Sequence, residues 1–413
     1  MIRIKQSCLC FFLICILCGC GQENVVEEET LSSTDEKGRQ MVTLDIGISD
    51  NSIRQMVEAF NNSNPDYFVE IIEYEAITNQ EKLDTRALKI MTGRCADIIC
   101  LDNDYRTNTY IKKGVLENIA DYVSRDLKAD EYVDGIFDIF ADHQKIYAIP
   151  VAIRANLLLT KAENGQIFRE MSFNELKTCI DQAKPNTIVG MSSKDTLWRI
   201  YNNFNVDPGN TEQLTEAILL SLPIENNSSS GRLVLGKDPF MIDFGITTPD
   251  SIYNIYETFG LFGEDVSILN SPTLYSIAIG ISSASSQKEG AWEFIKYFLG
   301  EECQQKTAHR YLPVNKKIGL DIIHSFYEKK EDDPSSYMGD LYLNRGLSEE
   351  VFVDIFTQLI SKGKAAERLV EHYDEWRLLE EEIQAYYEGE RELDDVLKNF
   401  QKRLKVYRLE NEE

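Results

Sequence analysis

Two α/β units followed by a helical C-terminal region are the fold this sequence predicts, and three observations carry that reading. Strand-like and helix-like runs alternate through residues 42–114. A long apolar stretch, residues 147–160, precedes a second alternating run over 172–204. From Gln287 onward the apolar spacing is almost wholly helical. Repeated strand–loop–helix order implies a mostly parallel sheet in each unit.

The elements follow in order. Val42, Leu44, Ile46 and Ile48 alternate, which marks a half-buried strand. Asp50-Asn51-Ser52 ends it and can cap a helix. Ile53, Met56, Val57 and Phe60 then recur at helical spacing, and Asn64-Pro65 stops the run. Residues 68–74 read as a strand, and 80–91 as a helix closed by Gly93. Residues 97–101 form a short buried strand, followed by Asp102-Asn103-Asp104 and a helix ending at Gly114. The apolar stretch 147–160 is broken only by Pro150, Arg154 and Asn156. Ser172 and Glu175 form a capping box ahead of Phe173, Leu176, Cys179, Ile180 and Ala183. Residues 187–191 read as a strand, 195–204 as a helix and 225–231 as a surface loop. Residues 274–282 are another strand. Over 394–407, Val396, Leu397, Phe400, Leu404 and Tyr407 share one helical stripe.

Composition narrows the function. The 413 residues are 43% hydrophobic and 27% charged, an ordinary globular balance. Lys and Arg number 43 against 69 Asp and Glu, a net charge of −26. Such acidity argues against nucleic acid, which needs a basic face, and against charge-driven adhesion to an anionic membrane.

The N-terminus carries a targeting pattern. Arg3 and Lys5 precede an uncharged apolar run over residues 8–18, short for a membrane span and suited to a signal peptide. Leu17-Cys18-Gly19-Cys20 resembles the bacterial lipobox, with Cys18 departing from the usual small residue. That resemblance implies cleavage after residue 19 and lipidation of Cys20 with more than one acyl chain, palmitate among them. The mature balance is then 41 basic residues to 69 acidic. Residues 20–40 read as a flexible tether: 21–40 hold six acids and no aromatic residue. Beyond Cys20, the mature chain has Cys95, Cys100, Cys179 and Cys303, with no metal-type spacing, so no metal and no cofactor is expected. Cys100 and Cys179 lie on apolar faces as small core residues; a Cys95–Cys100 disulfide is the alternative for that pair.

Several segments resemble one family. Phe60-Asn61-Asn62-Ser63-Asn64-Pro65 matches its F-N-x-x-N-P helix end, and Ala96-Asp97-Ile98-Ile99 its P-D-I strand. The run from Gln144 to Val151 resembles G-K-x-Y-A-L-P. Gly290-Ala291-Trp292-Glu293-Phe294-Ile295-Lys296 resembles A-A-W-E-F-I-K, with Tyr311-Leu312-Pro313-Val314-Asn315 after it. Tyr387-Glu388-Gly389-Glu390 resembles a G-E helix junction. In order and spacing, over about Thr43 to Glu410, these segments resemble the extracellular solute-binding proteins of carbohydrate ABC importers, relatives of maltose-binding protein. The departures are Leu159-Thr160-Lys161 for Tyr-Asn-Lys, Phe173 where Trp is common, and Gly245-Ile246-Thr247-Thr248-Pro249, which lacks the aromatic platform of sugar binders.

The resemblance implies a two-lobed periplasmic-binding-protein-like α/β fold with hinge crossovers and a helical C-terminal region. Lobe 1 would comprise residues 41–152 plus 277–325, and lobe 2 residues 153–276 plus 326–413. It also implies a monomeric, lipid-anchored protein on the extracytoplasmic face that hands a small polar solute, a sugar first, to ABC permease subunits.

Ligands of open α/β sheets sit beyond the carboxyl ends of the strands. That places Asp50, Asn51, Ser52, Asp102, Asn103 and Asp104 at the mouth of the first unit, where carboxylates and amides suit hydroxyl groups. Helix capping explains Asp50 and Asp102 equally well. Arg154, a charge in an apolar strand, needs a buried partner or a cleft. Trp198 is the best ring for stacking on a sugar face, with core packing explaining it equally well, and Tyr253 and Tyr275 stand behind it. Trp292 and Trp376 sit on apolar helix faces and read as core. So few Trp favours a small ligand.

Three rival readings are a sensor or interaction protein without transport, a surface hydrolase, and a binder of another solute such as a peptide, a phosphorylated compound or an oligosaccharide fragment. Neither H-E-x-x-H, G-x-S-x-G nor a P-loop is present. No catalytic residue is assigned.

Overall fold

The computed structural model describes residues 34–411 apart from 47–50, 73–79, 102–105, 162–165, 183–187, 190–191, 223–241, 244–250, 253, 257–258, 260–265, 271–272, 309, 333–346, 363 and 366. The first unit opens with β1 (Gln40–Asp45), α1 (Asn51–Ser63), β2 (Tyr67–Ile72), α2 (Gln80–Met91), β3 (Ile98–Cys100), α3 (Thr107–Lys112) and α4 (Ala120–Asp126). The expected face of α1 is buried: Ile53, Met56, Val57 and Phe60 are all 5% exposed or less. β1 is shorter than its alternation predicts and ends at Asp45. Gly93 and Gly114 take φ of +69° and +67°, the left-handed conformation that closes α2 and α3.

The F-N-x-x-N-P segment has a local physical job. The Asn61 side chain donates to the Val69 carbonyl at 2.8 Å and accepts from its N–H at 2.7 Å. Arg39 donates to the Asn61 and Asn64 carbonyls at the end of α1, at 2.5 and 3.2 Å. The Arg39 contacts satisfy backbone oxygens that a helix end leaves open and tie α1 to the start of β1, while those of Asn61 fasten it to β2.

A β4–β5 hairpin (Ala141–Asp142, Lys145–Ile146) leads into β6 (Ala148–Asn156). The second unit holds β7 (Leu159–Lys161), β8 (Phe168–Arg169), α5 (Phe173–Gln182), β9 (Ile188–Val189), α6 (Ser193–Asn203), α7 (Thr211–Ser221), β10 (Ile242–Asp243) and β11 (Val266–Leu269). The capping box at α5 forms as read: Ser172 N–H donates to Glu175 Oε2 at 2.7 Å, and Glu175 N–H to Ser172 Oγ at 3.3 Å. β12 (Thr273–Ile281) follows, then α8 (Lys288–Leu299), α9 (Glu301–Thr307), α10 (Lys316–Asp332), α11 (Glu349–Lys362), β13 (Lys364–Ala365), α12 (Glu367–Tyr387) and α13 (Leu393–Asn411). Among the described residues, β13 is the strand that interrupts the helical tail.

Two sheets result. The first runs β13-β12-β3-β1-β2, with β6 on the other edge of β12; the second runs β8-β11-β7-β10-β9. β1, β2 and β3 are parallel, whereas β12 is antiparallel to β3 and β6. The chain crosses between the two sheets twice, and a third passage leads from the first sheet to the helices of the second core. β6 leaves the first sheet at Asn156, and β7 begins in the second three residues later. β11 leads back through β12, which pairs with β6 from Thr273↔Asn156 to Gly280↔Ala148. β13 pairs with the start of β12, and the chain then enters α12.

Hydrophobic burial divides at this crossing. One core joins α1, α2 and α8 to the first sheet and runs on to Ile252, Tyr256, Phe352 and Phe356. The other gathers Phe173, Leu176, Leu197 and Ile200 of the second unit with Trp376, Leu379 and Ile383 of α12 and Val396, Leu397, Phe400 and Leu404 of α13. Neighbouring residues go opposite ways: Leu157 joins the first core and Leu158 the second. Alternation along an extended chain is what lets one strand serve both. Trp292 and Trp376, 0% and 4% exposed, are core as read, while Tyr407 is only half-buried. Among the described residues, no helix is long and apolar enough to cross a membrane.

Candidate functional site

The crossing and the carboxyl ends of β1 and β3 are where the two units meet the segments singled out above. Asp50, Asp102, Asn103, Asp104, Tyr253 and Cys20 lie outside the described residues. Asn51 and Ser52 open the backbone of α1, and Tyr275 lies in β12; their side chains are outside the description too.

Arg154 is half-buried in β6 and has an aromatic partner that sequence reasoning missed. Its guanidinium carbon sits 5.0 Å from the centroid of the Tyr311 ring, and Nη2 donates to Tyr311 Oη at 3.3 Å. Tyr311 is 4% exposed. The next residue, Leu312, exchanges backbone hydrogen bonds with Ile153 at 3.0 and 2.9 Å, so the segment between α9 and α10 rides on the crossover strand. A guanidinium over a ring keeps its charge while shedding water on one face. Arg154 also lies opposite Tyr275 in the β6–β12 register, so the structure brings these two backbone positions together. The only sequence signal for Tyr311 was its place in the Tyr-Leu-Pro-Val-Asn segment.

Trp198 belongs to the second unit and sits in the second turn of α6, because the helix begins at Ser193 and not at Asp195. The N-cap explains the earlier start: Asp195 N–H donates to Ser192 Oγ at 3.2 Å. Trp198 is half-buried, with its ring 4.7 Å from that of Trp376 and 6.3 Å from that of Tyr201. Lys194 reaches Glu380 of α12 at 2.9 Å beside them. Burial pushes the Tyr201 phenol upward, Glu375 adding to the shift, and keeps it neutral. The arrangement offers a ring partly open to solvent on a rigid base.

A buried ion pair lies at the carboxyl ends of β1 and β3. Arg86 of α2 is 3% exposed and Asp45 is 0% exposed, and Arg86 Nε meets Asp45 Oδ2 at 2.7 Å. Its sequence signal was one charge beside Ala87 and Ile90 on a buried face.

Cys95 and Cys100 are both free thiols, so the disulfide alternative for that pair is not realised. Cys100 and Cys303 are buried, whereas Cys179 is only half-buried. The wall around Cys303 raises its thiol to about 12, chiefly by desolvation.

The family model for bacterial extracellular solute-binding proteins matches residues 47–305. Solved structures align over nearly their whole length. An ABC substrate-binding protein from Listeria monocytogenes in complex with cycloalternan is 15% identical, with a TM-score of 0.53 over 89% of this chain and 98% of that one. Maltose-bound MalE3 of T. maritima is 15% identical, with a TM-score of 0.56 over 89% and 99%. The sugar-binding protein MalE from Xanthomonas citri is 13% identical, with a TM-score of 0.57 over 88% and 96%. At such identities the likeness is one of fold: two α/β lobes joined by crossover strands. No curated protein matches this chain in sequence.

Proposed function

The chain belongs to the family of bacterial extracellular solute-binding proteins, and on that premise we propose that it is the lipid-anchored binding component of an ABC importer. In this reading two lobes close over a small polar solute, one built on the first sheet together with α11 and β13, the other on the second sheet together with α12 and α13. A carbohydrate is the class we assign, because the structural neighbours include proteins holding maltose and cycloalternan. Asp50, Asn51, Ser52, Asp102, Asn103 and Asp104 would meet its hydroxyls from one side. Trp198 and Tyr253 would serve from the other side, with Arg154 and Tyr275 at the crossing. Cys20 would carry the lipid, hold the protein at the extracytoplasmic face of the membrane and keep it beside its permease subunits. The solute would leave chemically unchanged.

The observation that carries the reading is the crossing itself. Two long antiparallel strands, paired across nearly all of β12, join the sheets, with β13 beside them. A narrow ribbon between two separately packed bodies can bend at little cost, and a ligand touching both bodies shifts the open–closed balance.

Thermal-shift screening of residues 21–413 against maltose, maltotriose, glucose, xylose, mannitol and the amino acids tests this. A ligand at 100 times its Kd stabilises by about 2.7 kcal/mol. The best ligand should also shrink the radius of gyration by small-angle scattering. A flat response to the whole panel, or a chemically altered sugar after incubation, sinks the proposal. Palmitate labelling of cells expressing wild type and Cys20→Ser tests the anchor separately.

A further inference from the structure

We infer that α2 braces the ligand face of the first lobe, with Arg86 and Asp84 acting as positioning residues for solute binding. The inference rests on the solute-binding reading above.

Two parallel strands, β1 and β3, end side by side, with Asp45 opposite Ile99. Arg86 reaches both ends. Its Nε meets Asp45 Oδ2 at 2.7 Å, and its Nη2 donates to the Cys100 carbonyl at 2.5 Å. Asp45 is the last residue of β1 and Cys100 the last of β3. One half-turn earlier on the same helix, Asp84 forms an ion pair with Arg106, the residue just before α3. Leu101 donates its N–H to the Ala278 carbonyl at 2.8 Å. So one helix grips the chain where it leaves β3 and again where it enters α3.

The chemistry explains why an arginine stands there. A buried guanidinium costs several kcal/mol unless it is paired and hydrogen-bonded, so it persists only in one geometry. Its planar fork has fixed directions, which lysine lacks. An apolar side chain would pack the same space without orienting either strand end. In open α/β sheets the ligand sits beyond these carboxyl ends. Groups that emerge from fixed ends lose less entropy when a solute orders them.

The exposed pair gives the cleaner test. The Asp84 and Arg106 side chains are 58% and 17% exposed, so Asp84→Ala should leave the melting temperature near that of wild type. The probe is whichever of maltose, maltotriose, glucose, xylose and mannitol raises the wild-type melting temperature most, titrated by calorimetry. Asp84→Ala and Arg86→Lys should each weaken Kd about tenfold, as losses around ligand-holding groups do. The exchange Asp84→Arg with Arg106→Asp should return Kd to within about threefold of wild type, since it restores the pair. Rescue of affinity by charge exchange is what a merely stabilising contact would not give. Wild type that binds while both single variants bind equally well overturns the brace alone. Wild type that binds none of the five probes overturns the solute-binding reading as well. Should Arg86→Lys fail to fold, Asp84→Ala and its exchange still decide the matter.

Discussion

Replacing Trp198 by Ala separates packing from ligand contact. A tryptophan buries about 150–250 Å² when fully enclosed, so a half-buried one withdraws about 100 Å² from water. At about 25 cal/mol per Å² this is about 2.5 kcal/mol. The ring also faces Trp376 at 4.7 Å and Tyr201 at 6.3 Å. Aromatic pairs add about 0.5–1.5 kcal/mol each when well placed, and the 6.3 Å pair lies toward the weak end. Unfolded chains are partly compact already, which trims the total. The expected loss for Trp198→Ala is therefore about 3 kcal/mol, or about 6–12 °C in Tm for a lobe of ordinary size. Trp198→Phe should retain roughly half of the lost stability. Circular-dichroism melts of both variants measure this. A shift of under about 0.5 kcal/mol, the size typical of plain surface changes, would refute the packing argument. The same proteins then report on function. If the ring also carries a sugar, Ala should weaken Kd tenfold or more, an effect of about 1.4 kcal/mol, while Phe restores part of it. An unchanged Kd in both variants assigns Trp198 to the core alone.

Three further outcomes are expected. A Cβ added to Gly290 would lie 2.5 Å from a Tyr67 ring carbon and 2.7 Å from Val42 Cγ2. Gly290→Ala should therefore cost about 1–3 kcal/mol in urea titration, and a stabilised variant would contradict the tight α8 packing. Asp126 is held down to about 2 by hydrogen bonds from Arg125 and from the Trp292 indole. A depressed carboxylate stabilises the fold at pH above its unfolded value, and that contribution fades as pH falls from about 4 toward 2. Melts from pH 7 to 2 should show the gap between wild type and Asp126→Asn closing over that window; a gap that widens on acidification would reverse the sign. The fourth prediction concerns thiols. The Cys100 and Cys303 side chains are buried, so a disulfide reagent should label them only after denaturation, with Cys95 and Cys179 reacting first. Rapid native labelling of Cys303 would contradict its position.

Much of the first unit was legible because its signals are local. The spacing of Ile53, Met56, Val57 and Phe60 depends on the 3.6-residue turn of one helix, and the structure buries all four. The Ser172–Glu175 box likewise needs only three residues of separation, and both of its reciprocal bonds form. Short strands carry weaker signals: β10 has two residues, and its partners β7 and β9 lie far away in sequence. The helix α7 was missed as well, although its buried face of Leu214, Ala217 and Ile218 has helical spacing.

The candidate site divides along the same line. Sequence alone marked Arg154 as a charge in an apolar strand, and Trp198 as a ring near the start of a helix. It could not say that Arg154 would lie over Tyr311, 157 residues away, or that Arg86 would join the ends of β1 and β3. The Tyr311 contact exists only after the chain has returned through β12 and laid the segment after α9 against β6, and the Arg86 contacts only once β1 and β3 have paired. Helical periodicity is written within a few residues of itself. Which strands pair, and which charges are thereby buried together, is decided by long-range closure, because a strand's hydrogen bonds are completed by another part of the chain.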